Sequence, residues 1–185
     1  MGPGWPSIIT ALLHVRKRGC QVWGGVAMTD RDRDDAGRPR NARPRDELGR
    51  PLPRDASGVA GVPEEPLPPA ESLAQAQRLL DDGRAFHAHE VLEGTWKAAP
   101  AAERELWRGL AQLAVGITHV RRGNPTGAIQ LLRRAADRVA GYVDDPPHGI
   151  AAGGLVAWAR ALATRVERDG LVDLANPELT PRLLA

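Results

Sequence analysis

The segment Phe86-His87-Ala88-His89-Glu90-Val91-Leu92-Glu93-Gly94-Thr95-Trp96 holds the residues best suited to chemistry. On a helix advancing 100° per residue, Phe86, His89, Glu93 and Trp96 share roughly a quarter of the circumference. A stripe carrying Trp and Phe faces a core, so His89 and Glu93 are expected to be buried and to need partners. His89 and Glu93 are one turn apart and could grip one metal ion, with His119 as a third ligand. The segment departs from His-Glu-x-x-His at its last position, where Glu93 stands in place of the second histidine. In a metal-dependent hydrolase Glu90, to one side of the stripe, would be the general base. His87 points away from the stripe and is a poor candidate ligand. The plainer reading makes His89 a core histidine and Glu93 half of an interhelical ion pair.

A second polar set lies on the long apolar stretch 109–120. There Arg108, Gln112 and His119 align, with Glu105 at the edge and Gly109 and Gly116 beside them. The two glycines are seven apart, on one side, and allow a neighbouring backbone to approach closely. If this wall faces the His89/Glu93 stripe, Glu93 and Arg108 pair, and Gln112 and His119 surround His89. The candidate cluster is therefore His89, Glu93, Trp96, Arg108, Gln112 and His119. It suits a pocket for a small ligand or an interaction module, and a divalent metal is the only cofactor it suggests. No phosphate loop, Ser/His/Asp set or cysteine nucleophile is present.

The elements that must position these residues are helical. Leu73, Ala76 and Leu80 share one face, with Ser72 as the expected cap and Asp82-Gly83 as the stop. A second helix runs from about Arg84 to Ala98, and a third from Ala101 to Arg122. Asn124-Pro125 opens a fourth, whose stripe is Ala128, Leu131, Leu132, Ala135 and Val139. A fifth carries Leu155, Trp158, Leu162 and Val166 and ends at Gly170. Short connections and the absence of hairpin or βαβ signals point to an all-α fold, a compact antiparallel helical bundle of about five helices. Residues 28–69, rich in Pro, Arg and Asp, read as a long N-terminal tail, disordered or loosely docked through Leu48, Leu52, Val59 and Val62. The expected organisation is a leader at 1–27, the tail at 28–69, the bundle at 70–170 and an irregular strap at 171–185.

Composition narrows the function classes. Hydrophobic residues are 42% and aromatic residues 4% of 185 positions, which suits a core of Leu, Val and Ala. The isoelectric point near 9.2 comes from the leader, which carries +3, whereas the tail carries −1 and residues 70–185 are neutral. A nucleic-acid partner through Arg133, Arg134 and Arg138 thereby loses its main support, and the abundance of Arg over Lys reads as GC-rich codon usage. The single Cys20 excludes an intramolecular disulfide and fits a reducing cytoplasm. No apolar run approaches the ~18 residues of a membrane span. Ile8–Val15 lacks the flanks of a secretory signal, and Met28-Thr29-Asp30 is the expected translation start.

Gly83-x-x-Phe86-x-x-His89-Glu90-Val91-Leu92-Glu93-x-x-Trp96, then Trp107-x-Gly109-Leu110-x-Gln112-Leu113-Ala114, then Gly123-Asn124-x-x-Gly127-Ala128 recur in order. In these motifs the stretch from about 70 to 143 resembles domain-of-unknown-function family 309, small all-helical prokaryotic proteins. The run from Arg40 to Pro53 looks like a leader on some actinobacterial members, which favours a docked arm. The resemblance implies a bacterial helical bundle of uncharacterised function. It supplies no catalytic roles, and it directs attention to His89, Glu90, Glu93, Trp96 and Gln112.

Overall fold

Apolar residues recur at helical spacing over five stretches, and each forms a helix in the computed structural model. The structure describes residues 43–59, 61–62 and 65–185. The leader at 1–27, with Cys20, and the start of the tail, with Met28, lie outside the described residues. The helices are α1 (Pro69–Asp81), α2 (Ala85–Ala98), α3 (Arg104–Arg121), α4 (Pro125–Ala140) and α5 (Ala152–Asp169). Successive helices are packed neighbours, α1 on α2, α2 on α3, α3 on α4 and α4 on α5. The short connections between the first four make those neighbours antiparallel, a longer stretch at 141–151 leads to α5, and the fold is the all-α bundle expected. No β-strand forms among the described residues, only isolated bridges at Arg45–Pro51 and Ile150–Leu184.

Side-chain capping fixes the start of α4 alone among the five helices. Asn124 Oδ1 accepts the Gly127 backbone N–H at 3.1 Å, and Pro125 fills the first turn of α4. The first helix departs from expectation. It starts at Pro69, so Ser72 lies within its first turn and caps nothing. The Ser72 hydroxyl instead meets the Thr95 hydroxyl at 2.6 Å, a buried tie between α1 and α2. Pro at the first helical position costs no hydrogen bond, which is why the start moved upstream of the serine.

α3 is the central element. Leu106 to Val120 is buried throughout except at Arg108, because α2 and α4 pack on different sides of it. Gly109 and Gly116 face α4. A Cβ at residue 109 would stand 2.9 Å from Val139 Cγ2, and one at 116 would stand 2.9 Å from Leu132 Cγ. Trp107 is fully buried and its indole N–H donates to Glu103 Oε2 at 3.1 Å. The same carboxylate meets His148 Nε2 at 2.8 Å, and the two bonds hold Glu103 below its ordinary pKa. In α4, Leu131 is only half-buried, and Leu132 carries that part of the stripe inward.

After α5 the chain returns as a strap. Leu179 and Leu183 insert into the core. Gln77 of α1 brackets the strap, its Oε1 accepting the Leu183 N–H at 2.8 Å and its Nε2 donating to Pro181 O at 3.1 Å. Backbone bonds Ala151 N–H to Leu183 O and Ala185 N–H to Gly149 O complete the attachment.

Candidate functional site

The α2–α3 seam is framed at both ends by arginine–aromatic contacts. The Arg108 guanidinium lies 5.5 Å from the Trp96 ring centre, and that of Arg122 lies 5.6 Å from the Phe86 ring centre. The start of one helix therefore meets the end of the other, and the stripe Phe86–His89–Glu93–Trp96 runs alongside Arg108–Gln112–His119–Arg122. All four polar residues between the frames are buried, His89 to 1%, Gln112 to 5%, Glu93 to 6% and His119 to 7% exposure.

Their partners differ from the simplest expectation. The expected Glu93–Arg108 pair gives way to local ones. Arg108 reaches Glu105, three residues back on its own helix, at 3.4 Å. Glu93 lies 3.4 Å from Lys97 and 3.6 Å from His89 Nε2, both one turn away on α2. An i,i+3 or i,i+4 partner is already held in place by the helix, and this outcompetes a carboxylate across the seam. Arg108 is left to stack over Trp96.

Neither nitrogen of His89 has a hydrogen-bond partner, and the same is true of Gln112 Oε1, Trp96 Nε1 and His119 Nε2. Burial pushes the His89 imidazole down to about 4; Lys97, Arg122 and Arg45 add to this and Glu93 opposes it. At neutral pH the ring is uncharged, with one donor and one acceptor to offer. Glu90 is raised above its ordinary value, chiefly by burial. His119 turns toward the start of α4. Its Nδ1 lies 2.7 Å from Asn124 Nδ2, and a Cβ at Gly127 would stand 2.4 Å from that same nitrogen. Because the Asn124 amide oxygen is engaged by Gly127, its NH2 donates to Nδ1, which places the His119 proton on Nε2. Burial, aided by Arg122, lowers the His119 pKa, in keeping with a neutral ring.

The expected metal triad of His89, Glu93 and His119 does not assemble. Among the described residues no three His, Cys, Asp or Glu side chains converge to hold a metal ion. His89 and Glu93 remain adjacent, whereas His119 is committed to Asn124.

The tail, expected to be disordered or loosely docked, sets a turn on Phe86 that this reading missed. Residues 45–51 form a turn, with Gly49 N–H to Asp46 O at 2.8 Å and Arg50 N–H to Asp46 Oδ1 at 2.6 Å. Gly49, at φ +72°, sits flat on Phe86, where a Cβ would stand 2.1 Å from the ring. Arg45 lies 5.2 Å from the same ring's centre. Arg122 donates through Nε and Nη2 to Leu48 O, at 2.8 and 2.5 Å. His87, read as pointing away from the cluster, is buried to 2% exposure and has no partner at Nδ1. Burial lowers its pKa, Arg84 and Arg45 lower it further, and Asp46 and Glu47 act in the opposite sense. The usable signal was Asp46-x-x-Gly49, a turn pattern with its glycine at the position needing positive φ.

No helix among the described residues is long and apolar enough to cross a membrane. Among curated proteins, the chain is 46% identical over 48 residues to the uncharacterized protein YpuF of Bacillus subtilis (strain 168), covering 25% of this chain and 28% of that one. It is 30% identical over 77 residues to an uncharacterized protein of Aquifex aeolicus (strain VF5), covering 41% of this chain and 23% of that one. The chain thus spans about a quarter of the length of these relatives. No solved structure matches. Residues 73–131, from α1 into α4 and including the whole α2–α3 seam, match the family model DUF309, a domain of unknown function, and over that segment the resemblance read from the motifs holds.

Proposed function

We propose that the protein is a binding module whose α2–α3 seam cradles a small polar ligand. The observation that carries this is His89, buried to 1% exposure with neither ring nitrogen hydrogen-bonded, Glu93 standing 3.6 Å from Nε2. Each unmet buried donor or acceptor costs about 1–3 kcal/mol, and a fold keeps such groups where something else completes them. Gln112 Oε1 and Trp96 Nε1 add one acceptor and one donor on the same seam. The arrangement favours a neutral, hydrogen-bonding molecule, because the imidazole between these groups is uncharged and the nearby cations already have carboxylate, carbonyl or aromatic partners. The proposed compartment is a bacterial cytoplasm, in line with the single Cys20.

Native mass spectrometry of the full chain, purified without a metal-affinity step, tests the reading. The expected result is a bound species carried by the wild type and lost in His89→Leu. A wild type that carries nothing, and whose melting temperature ignores amino acids, nucleosides and organic acids, would overturn it. Elemental analysis of the same sample addresses the metal-dependent hydrolase. Stoichiometric zinc, manganese or iron that disappears in His89→Ala would replace the ligand cradle with a metal site, with Glu90 as the base.

A further inference from the structure

The turn at residues 45–51 has its own internal framework. Besides the Asp46 bonds, Arg45 Nη1 donates to Gly49 O at 2.6 Å, and Asp46 N–H donates to Arg50 O at 3.0 Å. Flanking bonds, Leu52 N–H to Pro44 O and Val59 N–H to Arg45 O, also stay within the arm. A unit that satisfies itself in this way does not need the bundle to keep its shape. Its attachment to the bundle includes the Arg122 fork on one carbonyl and the Phe86 face under Gly49 and Arg45, with Arg45 also acting electrostatically on Glu90 and Asp46 on Arg122. Further along, Val62 and Leu67 pack against the core, and the Ser72 hydroxyl donates to Leu67 O at 3.1 Å. The arm is thus anchored near α1, with a preformed turn seated on α2 and α3.

What the turn covers is the imidazole end of the seam. Phe86, its seat, lies edge-on to His87 at 5.7 Å and tilted to His89 at 5.9 Å between ring centres. The arm's Arg45, Asp46 and Glu47 all act electrostatically on His87.

From this geometry we infer that residues 45–51 are a removable cover over the His87/His89 end of the α2–α3 seam, latched by Arg122 on the Leu48 carbonyl and by Gly49 on Phe86. The inference rests on the reading of that seam as a binding site and adds the route by which a ligand reaches it. Lifting the turn breaks the forked Arg122–Leu48 hydrogen bond and the Gly49 and Arg45 contacts with Phe86, weakens the attraction of Arg45 for Glu90 and of Asp46 for Arg122, and leaves the helices packed.

Diethyl pyrocarbonate labelling of the full chain, mapped by mass spectrometry, tests the cover without knowledge of the ligand. In the wild type, His87 and His89 should react slowly and the exposed His148 quickly. Gly49→Leu places a side chain against the Phe86 ring and should raise His87 labelling about tenfold or more through local opening, with His119 and His148 unchanged. Cleavage by a glutamate-specific protease after Glu47 should accelerate with it. Arg122→Gln, which keeps the glycine, should move both readouts the same way. Wild-type labelling of His87 in both variants, or a parallel rise at His119 in both, would overturn the cover, the second outcome making the turn an integral part of the fold. Failure of the ligand reading shows separately, as a wild type with no bound species and a His87 that still responds to Gly49→Leu.

Discussion

The two ends of the described chain both lie on the bundle without forming an α-helix, and they are held by opposite chemistry. The C-terminal strap sinks Leu179 and Leu183 into the core, and its backbone is claimed by Gln77, Gly149 and Ala151. The N-terminal turn offers the bundle a carbonyl, a glycine and a cation, while its own backbone bonds stay inside the arm. Buried apolar area is costly to expose, and a few polar contacts exchange readily with water. The strap therefore belongs to the cooperative fold, whereas the turn is attached to it.

Several measurements bear on that contrast. Truncating Leu183, which is fully buried, to alanine should lower unfolding stability by about 3 kcal/mol in denaturant melts, and Leu48→Ala should cost well under 1. Comparable losses at both positions would erase the distinction. Acid should act on the seam beside the turn before it acts on the strap. The folded pKa of His89 lies at about 4, below its ordinary 6.5. The unfolded chain therefore binds the proton first, and stability present above pH 6.5 is lost as the pH falls toward 4, by at most about 3 kcal/mol. The difference between wild-type and His89→Leu melts across that window isolates this loss; curves that stay parallel would show the imidazole to be solvated.

Gln77→Ala leaves Leu183 N–H and Pro181 O without their partner and should cost about 1–2 kcal/mol, read as faster hydrogen exchange confined to the strap. The smallest effect on the whole fold belongs to Arg122→Gln, under about 1 kcal/mol, since only the turn is released. A larger loss in that variant would mean that the latch holds the bundle together.

The legible and illegible parts of this molecule divide along the same line. Apolar stripes such as Leu155, Leu162 and Val166 announce helices because burial at period 3.6 is a side-chain signal. Asn124-Pro125 is equally readable, since capping and fixed φ are properties of those two residues alone. Gly109 and Gly116 signalled a close neighbour, although only the structure identifies it as α4. The candidate cluster was visible as aligned polar residues on two helices. Its pairing was not, because Arg108 had Glu105 within reach on its own helix. Ser72 misled because Pro69 starts a helix as well as a serine caps one. Of the apolar points expected to dock the arm, Val62 does pack against the core, whereas the turn itself docks through a carbonyl and a glycine, neither of which leaves a periodic mark in sequence.

The glycines of α3 carry a last consequence, for the order in which the bundle loosens. Without side chains at 109 and 116, α3 and α4 interlock at contact distance, with Val139 and Leu132 filling the notches. The flank of α3 beside them, turned to α2, is the polar one, and on that seam His89, Gln112 Oε1 and Trp96 Nε1 lack hydrogen-bond partners. Thermal breathing should therefore separate α2 from α3 first and leave α3 and α4 travelling together as one stiff plate, with the hinge at residues 99–103.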